Sequence, residues 1–443
     1  MPDVSEQLGS VDHIVVLVLE NRSFDHMLGW LYTDHGNVSP LGQPFDGLTG
    51  GESNPDGTGG KAGVFPINGA RPADYFMPGA DPGEGYQATN GQLFGTATPG
   101  APAPTATNDG FVSDYAATLP LRTRPRWSVY PGTTAQDIMG CFTPEALPVL
   151  SGLARGFAVA DRWFASVPTE TMPNRAFICS GTSQGHLDDG THTFTVPSIF
   201  GLLSDHAIGW AVYGYDRQPL TRGNFPDIQS AAASHFGLFA DFRTAAAGGD
   251  LPSFSFLEPS WSATGNSQHP NYDVALGEQL LHDVYYALRG GPGWPKTLLV
   301  ITYDEHGGCY DHVPPPAGAA PPDDSVGEFG FDFTRFGVRV PTVLVSPLIA
   351  AGTVLHAPAG TTPFDHTSIL KSVEQRWNLP SLTARDAAAP GLGPVITLTT
   401  AREDDPLTGV AVPTSTGANP AQTEDSHLSQ VYADLVARGC IPG

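Results

Sequence analysis

A three-layer α/β sandwich around a mostly parallel sheet is the architecture this sequence predicts, and two observations carry the prediction. Several short runs are almost unbroken in apolar, β-branched residues, as a strand buried on both faces requires. These runs alternate with segments of helical period, the order that lays successive strands side by side in parallel.

The first run, His13 to Leu19, reads as a central strand, with a short helix from Ser23 to Trp30 behind it. The stretch 37–131 is filled with Gly, Pro, Ala and Thr, too broken for a regular layer, and is predicted to be an inserted excursion that forms a lid or rim. Order returns with a helix from Pro144 to Arg155 and a strand from Phe157 to Ala160. A helix from Pro173 to Thr182 follows, with proline in its first turn, which sets Thr171 just ahead of it. Trp210 to Tyr213, Thr297 to Tyr303 and Val340 to Val345 are further strands, and Tyr272 to Leu288 and Pro363 to Trp377 further helices. Residues 1–400 are thus expected to form one domain. The tail, 401–443, ends in an amphipathic helix near Ser426 to Arg438 that is expected to dock on the outside by simple packing.

Composition narrows the partners. Acidic residues number 45 against 21 basic ones, a formal charge of -24 that repels nucleic-acid phosphate and anionic membranes, so nucleic-acid binding is not expected. A small charged substrate stays compatible, because a bound metal reverses the local sign. The four cysteines, Cys141, Cys179, Cys309 and Cys440, form no C-x-x-C pair, which removes zinc ribbons and redox motifs from consideration but leaves disulfides open. The polar start and the brief apolar run after it carry neither an export signal nor a transmembrane segment, so the chain reads as cytoplasmic. Oligomeric state has no signature here.

In parallel sheets, ligands gather at the carboxyl ends of strands. Glu20-Asn21 ends the first strand, Asp304-Glu305-His306 ends the strand from Thr297, and Ser346 ends the strand from Val340. Adjacent carboxylates repel unless a cation or a proton is shared between them. A helix cap at Asn21 and an acidic turn at Asp304 are the plain structural alternatives. Thr171 lies in Thr171-Met172-Pro173-Asn174-Arg175, where helix N-terminal amides and Arg175 would face an anion; an N-cap is its structural alternative. His269, before Pro270, and His366, after Asp365, are candidates for acid–base work.

Taken in order, His13 to His26, Thr171 to Arg175, His269-Pro270 with Asp273, Tyr303 to Gly308, Tyr310 to Pro315, Val340-Pro341 and Phe364 to Ser368 resemble the bacterial phosphoesterase family, from about Asp12 to Asn378. That family includes non-specific phospholipases C and acid phosphatases. The resemblance implies an alkaline-phosphatase-like fold, with Glu20, Asn21, Asp304 and Glu305 as metal ligands and Thr171 as ligand and nucleophile. It extends to His269, His306 and His366 as catalytic candidates, with His269 first as proton donor, and to Asn174, Arg175, His312 and Asp365 as substrate-binding residues. Relatives commonly place Gly-Pro-Thr before Pro-Asn-Arg, whereas Val167-Pro168-Thr169-Glu170 precedes Thr171 here, so Thr169 is a second candidate nucleophile. Family members are often exported, which also keeps a secreted or periplasmic location open.

The expected chemistry is hydrolysis of a phosphoric ester through a covalent phosphothreonine, assisted by one divalent ion among Ca²⁺, Mg²⁺, Mn²⁺ and Zn²⁺. Phospholipase C-type cleavage of a phospholipid or related diester is the first reading and acid phosphomonoesterase the alternative. A non-catalytic, metal-stabilised binding protein is the remote third. For a diester, Tyr75, Phe76, Tyr86, Phe94 and Tyr115 are expected either to pack the excursion onto the core or to enclose a choline ammonium.

Overall fold

The computed structural model describes residues 7–100, 102–122, 129–415 and 425–442. Eight strands form one sheet: β1 (His13–Leu19), β2 (Ala158–Val159), β3 (Trp210–Gly214), β4 (Phe236–Leu238), β5 (Phe254–Glu258), β6 (Thr297–Tyr303), β7 (Thr342–Val345) and β8 (Thr353–Val354). Their spatial order is β8-β2-β7-β6-β1-β5-β3-β4. The five strands from β6 to β4 run parallel. β7 is reversed against both β6 and β2, a direction that its apolar run does not encode.

Every residue of β6, and all of β1 after His13, is buried, which is why both read as unbroken apolar runs. A hydroxyl pair set deep between β6 and β7 satisfies itself, Thr302 Oγ1 lying 2.8 Å from Thr342 Oγ1. β1 and β6 pair in register from His13 with Thr297 to Leu19 with Tyr303. That register brings Glu20 and Asp304, the next residue of each chain segment, to the same level of the sheet.

The helices that bear on the site and its surroundings are α1 (Phe24–Leu28), α2 (Tyr86–Phe94), α3 (Phe111–Thr118), α4 (Pro148–Gly156), α5 (Thr171–Ser180), α6 (Leu220–Asn224), α7 (Val274–Arg289), α8 (Thr367–Trp377) and α9 (His427–Ala437), with further helices, Phe239–Gly248 among them, and short turns between. α1 starts at Ser23, whose Oγ accepts the His26 amide. α7 is capped by Asp273, and α8 begins four residues later than Pro363 because Phe364–Asp365 pairs with Trp163–Phe164 instead. α5 takes in Thr171 as its first residue, two positions earlier than the expected start at Pro173.

The stretch 37–131 is less broken than its composition suggests. It holds α2, α3 and a small hairpin, Ser53–Pro55 with Lys61–Gly63, and Leu48, Leu93, Phe111, Val112 and Tyr115 form a buried cluster apart from the main core. α9 lies against α6, with Leu428, Val431 and Leu435 buried. Among the described residues no helix is long and apolar enough to cross a membrane, and the four cysteines are free thiols.

Candidate functional site

The two central strand ends carry the acidic residues. Glu20 is fully buried and neither of its carboxylate oxygens has a hydrogen-bond partner among the described residues. Asn21 adopts a left-handed backbone, φ 58°, and its amide donates to Asp304 Oδ1 at 2.9 Å. The same oxygen accepts the Glu305 amide at 2.8 Å, and Glu305 Oε2 accepts the Gly307 amide at 2.7 Å. The glycines have a steric reason. Gly307 has φ +60°, and a Cβ there would lie 2.0 Å from the Asn21 carbonyl oxygen; at Gly308, φ +64°, it would lie 2.5 Å from that of Gly83.

Burial pushes Asp304 up to about 6, with Arg175 pulling the other way, and burial followed by Asp304 raises Glu305 well above the usual carboxylate range. An unneutralised set of this kind is costly, so it calls for a cation or protons.

Thr171 is buried at the start of α5, and its Oγ1 donates to Asn21 Oδ1 at 3.0 Å. The Thr169 hydroxyl instead donates to the Leu187 carbonyl at 2.6 Å. Asn174 binds the loop ahead of Thr171: its side chain accepts from the Val167 amide and donates to the carbonyls of Val167, Thr169 and Glu170. Arg175 donates from Nε to Asp304 Oδ2 at 2.9 Å and lies over the Trp261 ring. Both residues, expected to face substrate, thus spend these groups on holding Thr171 and Asp304.

The histidines differ in what they have left to give. His366 Nε2 donates to the Asp304 carbonyl at 2.6 Å and its Nδ1 faces Trp163 Nε1 at 3.4 Å; burial lowers it to about 4. His306 Nε2 donates to Gln92 Oε1 at 2.7 Å, its Nδ1 lies 3.2 Å from Glu305 Oε2, and burial lowers it to about 3. His269 donates from Nδ1 to the Pro270 carbonyl at 2.9 Å, while Nε2 has no hydrogen bond and points toward Glu84 Oε1 at 3.5 Å and Asp81 Oδ1 at 4.0 Å.

Two other expected substrate residues belong to ion-pair networks. His312 Nδ1 contacts Asp25 Oδ2 at 2.6 Å; burial works against its charge, but the bonds to Asp25 and Asp46 raise it to about 10. The Arg339 guanidinium lies between Asp25 and Asp311, at 2.8 and 2.9 Å. Asp365 accepts from Arg385 Nε at 2.8 Å, from Ser166 Oγ at 3.0 Å and from the Thr367 amide at 3.1 Å.

Several residues found here carry no local signal in the sequence. Asp81, Glu84 and Gln92 come from the 37–131 stretch, with Glu84 Oε1 accepting Asn21 Nδ2 at 2.9 Å. Arg22, fully buried, donates to the carbonyls of Met77, Gln268 and His269, which ties that stretch to the His269 loop. Asp189 accepts the Met172 amide at 2.7 Å, and His427, the first residue of α9, lies 2.7 Å from it. Burial opposes the His427 charge, but Asp189 outweighs it and raises the ring to about 9. His427 stands 5.9 Å, ring to ring, from His269. The last helix therefore brings a charged residue beside His269 as well as packing on the outside.

The residues that could hold a metal here are the fully buried and unpartnered Glu20 carboxylate, Glu305, Asp304 and the oxygens of Asn21 and Thr171, whose all-oxygen chemistry would suit a hard divalent ion. Two carboxylate–imidazole groups converge more tightly, to within 4.8 Å: Asp25–Asp311–His312 and Asp81–Glu84–His269. Arg339 already neutralises the first of them.

A mostly parallel α/β sheet with acidic strand ends facing a helix-borne hydroxyl defines a hydrolase class, and sequence comparison gives the family: residues 11–380 match the Phosphoesterase family model, so the chain belongs to the phosphoesterase family and is a hydrolase of phosphoester bonds. It is similar to non-specific phospholipase C6 of Arabidopsis thaliana, 38% identical across 96% of this chain and 79% of that one. Non-specific phospholipase C1 of the same plant is 40% identical, over 86% and 70%, and phospholipase C B of Mycobacterium tuberculosis 29% identical, over 86% and 76%. Among solved structures, a protein in the alkaline phosphatase superfamily from Vibrio parahaemolyticus aligns at 12% identity and TM-score 0.33, over 55% of this chain and 64% of that one. The phosphonate monoester hydrolase of Agrobacterium radiobacter aligns at 15% and 0.33, over 57% and 72%.

Proposed function

We propose that the protein is a metal-dependent phospholipase C-type phosphodiesterase that works through a phosphothreonine at Thr171. The observation that carries this reading is the Thr171 hydroxyl, buried at the first turn of α5 and 3.0 Å from Asn21 Oδ1, beside Glu20, Asp304 and Glu305. Relatives named phospholipase C over most of the chain support the diester.

A divalent ion held by Glu20, Asn21, Thr171, Asp304 and Glu305 would lower the pKa of the hydroxyl and neutralise charge on the phosphoryl oxygens. Thr171 Oγ attacks phosphorus in line as the P–O bond to the alcohol breaks. The amides at the start of α5 face the incoming anion. The leaving oxygen is met on the His269 side, by a proton from the ring nitrogen that has no other hydrogen bond. Water then attacks the phosphothreonine from the vacated side and frees Thr171. Arg175, His366 and His306 hold Asp304, Glu305 and the turn after them in place.

The test is a paired assay of a phosphocholine diester and a chromogenic phosphomonoester, with native protein, Thr171→Ala and metal-stripped protein. Diester preference that vanishes in both treated samples is expected. Monoester preference would shift the assignment to an acid phosphomonoesterase, and full activity of Thr171→Ala would sink the covalent scheme.

A further inference from the structure

The wall formed by the 37–131 stretch holds two carboxylates, Asp81 and Glu84, that the proposed mechanism leaves idle and that face its proton donor, His269. Asp81 and His269 are 7% and 6% exposed, and among the described residues neither Asp81 Oδ1 nor His269 Nε2 has a hydrogen-bond partner. Each is aimed at the same small space as Glu84 Oε1, the three donor atoms lying within 4.8 Å of one another. Arg122 binds the other oxygen of Asp81, Oδ2, at 3.3 Å, which leaves Oδ1 turned to His269. Glu84 is fixed by Asn21 Nδ2 at 2.9 Å, so this group adjoins the Glu20–Asp304–Glu305 set through one side chain.

Charge makes the same point. Of the six carboxylates Glu20, Asp81, Glu84, Asp189, Asp304 and Glu305, Asp304 meets Arg175, Asp189 meets His427 and Asp81 meets Arg122. Glu20, Glu84 and Glu305 are left, and one divalent ion leaves these three short of balance, a deficit that a proton or a second cation makes good.

We propose that Asp81, Glu84 and His269 form a second divalent-cation site beside the first. Donors about 2.0–2.2 Å from an ion stand roughly 3–4.4 Å from each other, a spacing these three side chains meet with small rotations. Two carboxylates with one imidazole suit Zn²⁺ or Mn²⁺. A cation there would take the His269 Nε2 lone pair and would supply positive charge to the leaving oxygen, which would then draw its proton from water in place of the ring. His269 serves the leaving-group side in either state. The inference rests on the proposed metal dependence, and the experiment separates the two.

Metal-stripped protein is reloaded with Zn²⁺ or Mn²⁺, freed of excess metal, and its metal content per chain measured, for native protein, Glu84→Gln, Asp81→Asn and Glu20→Gln. Two equivalents are expected in native protein and one in each variant, with metal-free melting curves unchanged for Glu84→Gln, because glutamine still accepts from Asn21. One equivalent in native protein that Glu84→Gln leaves in place would overturn the second site alone. No bound metal in native protein would overturn the metal dependence as well. One equivalent together with choline binding that Glu84→Gln abolishes would overturn the metal assignment, the pocket then holding an organic cation.

Discussion

The Thr171 hydroxyl donates to Asn21 Oδ1 at 3.0 Å, across 150 residues of chain. One residue ends the central strand and the other opens α5, so the contact is a product of tertiary packing rather than of either segment alone.

From this contact, Thr171→Ala should lower ester hydrolysis by at least about 10³-fold, as removal of a nucleophile does. Thr169→Ala should stay within about tenfold of native rate, because its hydroxyl is committed to the Leu187 carbonyl; loss of that bond should lower stability by about 1 kcal/mol. Steady-state rates and thermal melts of the two variants check both statements. Equal loss in the two would move the attacking group.

His269→Ala should slow esters of poor leaving groups by about 10²–10⁴-fold and spare activated aryl esters. His366→Ala should depress all esters alike, since its Nε2 holds the Asp304 carbonyl. A plot of rate against leaving-group pKa distinguishes them, and a flat plot for His269→Ala would count against its assignment.

Gly307→Ala should disable the site by displacing Asn21, whose carbonyl oxygen lies 2.0 Å from the new methyl position. Backbone strain at φ +60° adds about 1–3 kcal/mol. Gly318→Ala is the matched control: φ is +89° but nothing lies within 4 Å of the added carbon, so it should lose stability and keep activity.

His312 gives a pH signature. Its pKa rises to about 10 in the folded chain, so its contribution to stability is complete below about 6.5, its unfolded value, and is lost as pH climbs through 10. The melting difference between native protein and His312→Gln should be largest near pH 6 and shrink toward pH 10. A difference growing with pH would contradict the Asp25 pairing.

What the sequence disclosed follows from how each residue is held. β1 and β6 were legible because burial on both faces demands continuous apolar residues, and the acidic residues behind them stood at recognisable strand ends. β5, with Ser255 inside Phe254–Glu258, lacks an unbroken run and was not anticipated. The direction of β7 depends on where its neighbours lie. Asp81 and Glu84 sit in a Gly- and Pro-rich segment without period, where Arg22 fixes their neighbourhood from a distance. His427 pairs with Asp189 across more than two hundred residues, a relation no local pattern records. Asn174, Arg175 and Asp365, expected to bind substrate, make hydrogen bonds to the Val167–Glu170 loop, to Asp304 and to Arg385, partners that lie far off in sequence or in irregular loops.

The place of His427 also sets a schedule. The helix carrying the partner of Asp189 is made about 400 residues after Glu20 and Asn21, a delay of roughly 20–80 s at about 5–20 residues per second. Through that interval the wall beside His269 is unfinished. An esterase built this way holds back its completed pocket until α9 has been made.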